Sequence, residues 1–183
     1  HVHIVYADAT KYKDGLSFKL KMKLLIKHYL FKLKILHRSI RIWFPLDKRV
    51  KEHNVFKLKY YYVPKTDIYI CTAVDTAPYL NEYPIESSRK FYFIQDYEKW
   101  GRSDSDVRQT YHFPMNKIVI SSWLKDILVQ EEHEKCDIVP NGFDMSEYYL
   151  TLPIKFKNKY VISMLNHYGK RKGCSISFSA LNI

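Results

Sequence analysis

With 183 residues, 46% of them hydrophobic and 16% aromatic, the chain holds enough apolar material for one substantial core, which excludes disorder as a global description. Its three cysteines, Cys71, Cys136 and Cys174, stand singly without Cys-x-x-Cys or His-rich spacing; this argues against a disulfide framework or a zinc site and for a reducing, cytoplasmic setting. The formal charge of +11 is concentrated, because residues 11–60 carry fifteen Lys or Arg against three acids, a local +12 that leaves the remainder near neutral.

In chain order, short β-branched or aromatic runs alternate with longer helical patterns. Strands are predicted at His3–Tyr6, Ile40–Phe44, Asp67–Cys71, Lys90–Ile94, Lys117–Ser121, Asp137–Val139 and Tyr160–Met164, and Val55–Val63 alternates enough to be another. Helices are predicted near 15–38, 75–82, 104–112, 122–133 and 172–182. Such alternation implies an α/β protein with a doubly wound, mostly parallel sheet and ligand sites at the carboxyl ends of its strands. Charged residues interrupt every apolar run well short of the roughly 18 residues needed to cross a bilayer, so neither a signal peptide nor a spanning helix is predicted.

The first helix, 15–38, carries two apolar stripes: Met22, Leu25, Ile26, Tyr29, Leu33 and Leu36 on one side, Leu20, Leu24, Phe31 and Ile35 on the other. Lys19, Lys23, Lys27 and Lys34 lie between them, with Lys21, His28 and Lys32 on a narrower basic face. One stripe is expected to cover the sheet. The other, flanked by lysines whose stems can snorkel, suits an anionic membrane surface unless another segment covers it. No nucleic-acid module surrounds this basic stretch, and nucleic acid is not expected as a partner.

Lys90-Phe-Tyr-Phe-Ile94 is a buried strand that ends abruptly in Gln95, Asp96, Tyr97 and Glu98, polar or amphipathic groups placed where open α/β sheets bind ligands. Ser121 or Ser122 is positioned to cap the helix that follows the next strand. Cys136-Asp-Ile-Val-Pro-Asn-Gly-Phe-Asp144 is a short strand with a Pro-Asn-Gly turn, for which a simple reversal is explanation enough. A strand-poor stretch, Met145–Lys159, follows and marks a domain boundary, dividing the chain into 1–147 and 148–183. The loop Asn166-His-Tyr-Gly-Lys-Arg-Lys-Gly173 then brings Lys170, Arg171 and Lys172 to a helix start, where the dipole disfavours cations unless an anion such as a diphosphate is bound. A solvated basic loop is the competing explanation.

Taken in order, Asp67–Ala77, Phe93–Glu98, Lys117–Leu124, Ile138–Asp144 and the Lys172-Gly173 pair resemble the glycosyltransferase family 4 type of GT-B enzyme, especially its rhamnosyltransferase-like and rhamnan-synthesis branch. The resemblance implies an acceptor-side Rossmann-like domain over 1–147, lacking its first strand, and the linker and first strand–loop–helix of a second Rossmann-like, donor-side domain over 148–183. It further implies transfer of a sugar from a nucleotide-sugar donor to a glycan or lipid-linked acceptor in cell-surface polysaccharide synthesis, with no metal or other cofactor. The protein would be cytoplasmic, with peripheral contact to the inner face of the membrane. The rest of the donor domain lies outside these residues, so the fragment alone is expected to be inactive.

By position, Gln95 stands where many related enzymes carry a histidine, which leaves Asp96 as the nearest general base, with Glu98 behind it; alternatively the donor phosphate takes the proton, and Gln95 and Asp96 orient the sugar and acceptor. The donor-side set comprises Lys172 and Gly173, with Arg171 or His167 as a second contact and Asn141 and Gly142 at the turn. A departure from the family pattern is the strand end Ser163-Met-Leu-Asn166, where an arginine often follows a glycine. Two other classes fit the composition: a non-catalytic doubly wound ligand-binding module and a basic membrane-associated adaptor. A second α/β domain with the family's glutamate pair would distinguish the enzyme from both.

Overall fold

The computed structural model describes residues 1–9, 17–33, 46–99, 101–149, 162, 164, 169 and 172–181, and divides the chain into two units, 1–142 and 143–183. The first unit is α/β with parallel strands throughout. Strand β1 (Val2–Ala9) leads through helix α1 (Phe18–Lys32) to β2 (Val50–Lys57), which pairs with β1 in parallel from Val2↔Val50 to Ala9↔Lys57. A second parallel sheet follows in sequence order: β3 (Tyr69–Cys71), α2 (Ala77–Asn81), β4 (Lys90–Ile94), α3 (Asp104–Tyr111), β5 (Asn116–Val119), α4 (Ser122–Asp126) and β6 (Asp137–Ile138).

Local chemistry explains most of these elements. Strand β4 reads as an apolar run after Lys90 and is well covered: Lys90, Tyr92 and Ile94 are buried and Phe91 and Phe93 half-buried. Helix α3 starts at a capping box, with Ser103 Oγ accepting from Asp106 N at 3.1 Å and Asp106 Oδ2 accepting from Ser103 N at 3.3 Å. Its inner face then follows helical spacing: Val107, Thr110 and Tyr111 are buried. They join Val74, Ala77, Leu80, Val119, Leu124 and Leu128 in one core.

Four expectations change. Strand β2 begins at Val50 and ends at Lys57, and Tyr60–Tyr62 form a 3₁₀ turn in place of the second half of a Val55–Val63 strand. Residues Lys51–Asn54 show no apolar alternation; the strand is held by its partner, with His3 Nδ1 2.8 Å from His53 Nε2 and Tyr6 OH donating to Glu52 at 3.0 Å. The helix expected over 122–133 keeps α-helical form only to Asp126 and widens into a π turn, Ile127–Glu131, ending near His133, whose φ is 56°. Ser121 occupies the N-cap position but makes no capping hydrogen bond. On α1 the half-buried residues mix the two expected stripes, since Leu24, Leu25, His28 and Leu30 are half-buried and His28 meets Phe56 edge-on at 5.7 Å. The predicted strand Ile40–Phe44 and most of Tyr160–Met164 lie outside the described residues.

Among the described residues, no strand joins the two sheets. Residues of β1 (Val2, His3, Val5) and β3 (Tyr69, Ile70, Cys71) instead line a shared cavity of about 730 Å³, closed by Val63, Tyr79, Leu80 and Tyr83. None of its lining residues belongs to β2 or β4, so β1 and β3 are the inner edges. The strand orders are β1-β2 in one sheet and β3-β4-β5-β6 in the other. In the second unit, α5 (Cys174–Leu181) is the helix among the described residues, and it buries none of its side chains. No helix among the described residues is long and apolar enough to cross a membrane.

Candidate functional site

The two ends of the four-stranded sheet differ in their chemistry. At the amino ends, charge is neutralised locally: buried Lys90 donates to Asn81 O at 2.9 Å, and Lys117 meets Glu134 at 2.7 Å. Arg108, which bridges Glu131 and Glu132, and His112, which lies between Glu132 and Glu134, extend this network along α3. These pairs tie the α3 and α4 connections together and leave little for a ligand to claim.

The carboxyl ends carry a different set. Strand β3 ends at Cys71 and β4 at Ile94, which brings the loop Thr72–Thr76 against Gln95–Glu98. Gln95 is exposed and its Nε2 donates to Thr72 O at 3.2 Å. Asp96 is half-buried, with Oδ1 accepting from Tyr97 N at 2.9 Å. Glu98 is buried, only 7% exposed, and its Oε2 accepts from Val74 N. Burial pushes the Glu98 carboxyl above its ordinary range; the bond from Val74 partly opposes this, and the Asp96 charge adds to it. The arrangement therefore combines an amide, a partly exposed carboxyl and a buried carboxyl whose pKa is raised by burial. Carboxyl groups in contrasting environments are the usual material of general acid–base chemistry.

No protein-family model, no curated protein and no solved structure matches the chain. The site must accordingly be judged on its own geometry. Gln95, Asp96 and Glu98 follow the carboxyl end of β4 on one loop, and open α/β sheets bind ligands outside the strand carboxyl ends. Thr72 belongs both to this loop pair and to the lining of the cavity. Cys71 below it is inert, its thiol pushed up to about 12 by burial.

Asn141 and Gly142 are exposed at the end of the first unit. Lys172 and Gly173 stand together in the second unit: Lys172 is exposed, its amide donates to Gly169 O at 2.9 Å, and Gly173 takes a φ of 67° immediately before α5. His167 and Arg171 lie outside the described residues. Three participants near the candidate site were not visible in the sequence. The Val74 amide fixes Glu98, and an ion pair between Asp75 and largely buried Arg102 clamps the β3–α2 loop to the β4–α3 loop. Neither residue of that pair sits in a motif, so only the fold brings them together.

Glu98 offers a direct test of this local electrostatics. A carboxyl whose folded pKa lies above its unfolded value stabilises the fold fully below the unfolded pKa, and that contribution is lost as pH rises through the folded pKa. Glu98→Gln keeps an acceptor for Val74 N and carries no charge, so its thermal midpoint should exceed that of the parent at about pH 7 and match it at about pH 4. Glu98→Ala leaves the Val74 amide without its partner and should cost about 1–3 kcal/mol, with each kcal/mol lowering the midpoint by about 2–4 °C. Circular dichroism melts across this pH range measure both. Identical pH profiles for the parent and Glu98→Gln would contradict a raised Glu98 pKa.

Proposed function

We propose that this chain supplies the acceptor-side domain, and the start of the donor-side domain, of a nucleotide-sugar-dependent GT-B glycosyltransferase. Its acceptor would be a glycan or lipid-linked saccharide destined for the cell surface. The observation that carries the reading is the grouping of Gln95, Asp96 and Glu98 at the carboxyl end of β4, against the loop that follows β3. The order of motifs from Asp67 to Gly173 supports the same assignment.

On this reading the acceptor hydroxyl oxygen attacks the anomeric carbon of the donor sugar, the bond from that carbon to the diphosphate breaks, and the nucleoside diphosphate leaves with the electron pair. Asp96 takes the hydroxyl proton. Gln95, anchored on Thr72 O, orients the hydroxyl, and Glu98 holds the β3–α2 loop in place through Val74 N. In the second unit, Lys172 at the start of α5 offsets charge on the departing diphosphate.

The reading places most of the donor domain outside these residues, so the assay uses the full polypeptide that carries them. Uridine, guanosine and thymidine diphosphate sugars are supplied with a lipid-linked saccharide, and the products are resolved by mass spectrometry. A saccharide lengthened by one sugar, with release of nucleoside diphosphate, is expected. Epimerised donor with no transfer would overturn the proposal in favour of a sugar-nucleotide epimerase.

A further inference from the structure

Asparagine is followed by glycine at a single place in the sequence, Asn141-Gly142. The pair ends the first unit, in the irregular stretch after β6, and both residues are exposed. Neither takes part in a hydrogen bond among the described residues. Nothing lies within 4 Å of the place a Gly142 Cβ would occupy, and the glycine does not sit in the left-handed region. The other asparagines among the described residues are held. Asn54 lies within β2, before buried Val55. Asn81 ends α2, and the amide of the following Glu82 donates to Pro78 O at 3.3 Å. Asn116 opens β5 with its side-chain amide donating to Ser87 O, Ser88 O and Lys90 O at 3.4, 3.3 and 3.2 Å.

We propose that Asn141-Gly142 is a site of spontaneous modification, at which the folded chain acquires an isoaspartyl residue and becomes a substrate for a carboxyl methyltransferase of the isoaspartate-repair class. The Gly142 amide gives its proton to solvent hydroxide, and its nitrogen attacks the carbonyl carbon of the Asn141 side chain. The new carbon–nitrogen bond closes a cyclic imide. The bond from that carbon to the side-chain nitrogen breaks, and the nitrogen takes a proton from water and leaves as ammonia. Water then opens the imide at either carbonyl, giving aspartate or isoaspartate, so that overall water is consumed and ammonia released. Ring closure needs a backbone conformation that strands and helices do not offer, and a glycine on the attacking side presents the least steric resistance to it. Each event replaces a neutral amide with a carboxylate, and isoaspartate also routes the backbone through an additional methylene. The inference stands apart from the glycosyltransferase reading, because the reaction needs neither donor nor acceptor.

The test ages the full chain at mildly alkaline pH and follows its tryptic peptide 136–155 by mass spectrometry. Asn141 is the only asparagine or glutamine in that peptide, so a mass gain equal to the difference between a hydroxyl and an amino group reports this residue alone. Accumulation of the product is expected at a rate within a few-fold of that in the free peptide, together with labelling by an isoaspartyl methyltransferase and a radioactive methyl donor. Gly142→Ala puts a methyl group into open space and should keep the parent circular dichroism spectrum while losing most of the label. Asn141→Gln should lose the label from this peptide altogether. A rate many-fold slower in the intact chain than in the free peptide would overturn the proposal, because the fold would then protect the pair. Equal labelling of the parent and Gly142→Ala would overturn it as well.

Discussion

On the proposed glycosyltransferase reading, Asp96→Asn is expected to lower kcat by at least about 10²-fold, the low end of what a positioned general base contributes. Donor affinity should scarcely change. The substitution is a clean probe because asparagine keeps the Oδ1 acceptor that Asp96 offers to Tyr97 N at 2.9 Å, so the turn after β4 is preserved. What is lost is the capacity to accept a proton from the acceptor hydroxyl. Glu98→Gln serves as the control: Glu98 is buried, holds Val74 N, and its replacement should leave kcat within a few-fold of the parent. A single-turnover measurement with saturating donor separates the chemical step from product release. If Asp96→Asn retains a kcat within a few-fold of the parent, the donor phosphate takes the proton and Asp96 belongs to the turn.

The second large effect concerns the donor. Lys172→Ala should raise the dissociation constant for a nucleoside diphosphate by about 10- to 150-fold, corresponding to roughly 1.5–3 kcal/mol for a charge-assisted hydrogen bond. Lys172 is exposed, and its own amide is committed to Gly169 O, so removing its side chain leaves the backbone that leads into Gly173 and α5 intact. A lysine at the start of a helix is electrostatically unfavourable in isolation and becomes favourable when a diphosphate binds there. Isothermal titration with the nucleoside diphosphate reads the change directly. Unchanged affinity would return the segment to a solvated basic loop.

The α/β class was legible because β4 and its neighbours advertise themselves. An apolar run such as Phe91–Ile94 has few structural outlets besides a covered strand, and Ser103-x-x-Asp106 announces the start of α3. Strand β2 gave no such signal, since Lys51, Glu52, His53 and Asn54 owe their extended form to pairing with β1 and not to any pattern of their own. The stretch after Ser121 kept its helical periodicity in sequence, but the periodicity does not record the π turn from Ile127 onward. At the candidate site, position along the chain was enough to gather Gln95, Asp96 and Glu98. Their separate environments were not readable, because the burial of Glu98 and its bond to Val74 depend on a loop distant in sequence, and the Asp75–Arg102 clamp depends on two loops at once.

The division of the sheet has a consequence for how the protein behaves in solution. Strands β1 and β3 border the cavity, each with no second strand partner among the described residues, and Ile70 of β3 and Ile68 just before it are 60% and 55% exposed. A strand edge without a strand partner is a template: its amides and carbonyls can be met by a strand from another chain, and apolar side chains reward the arrival. Where such an edge is left open, unimolecular folding competes with a bimolecular reaction, and dilution becomes as strong a lever on recovery of monomer as temperature.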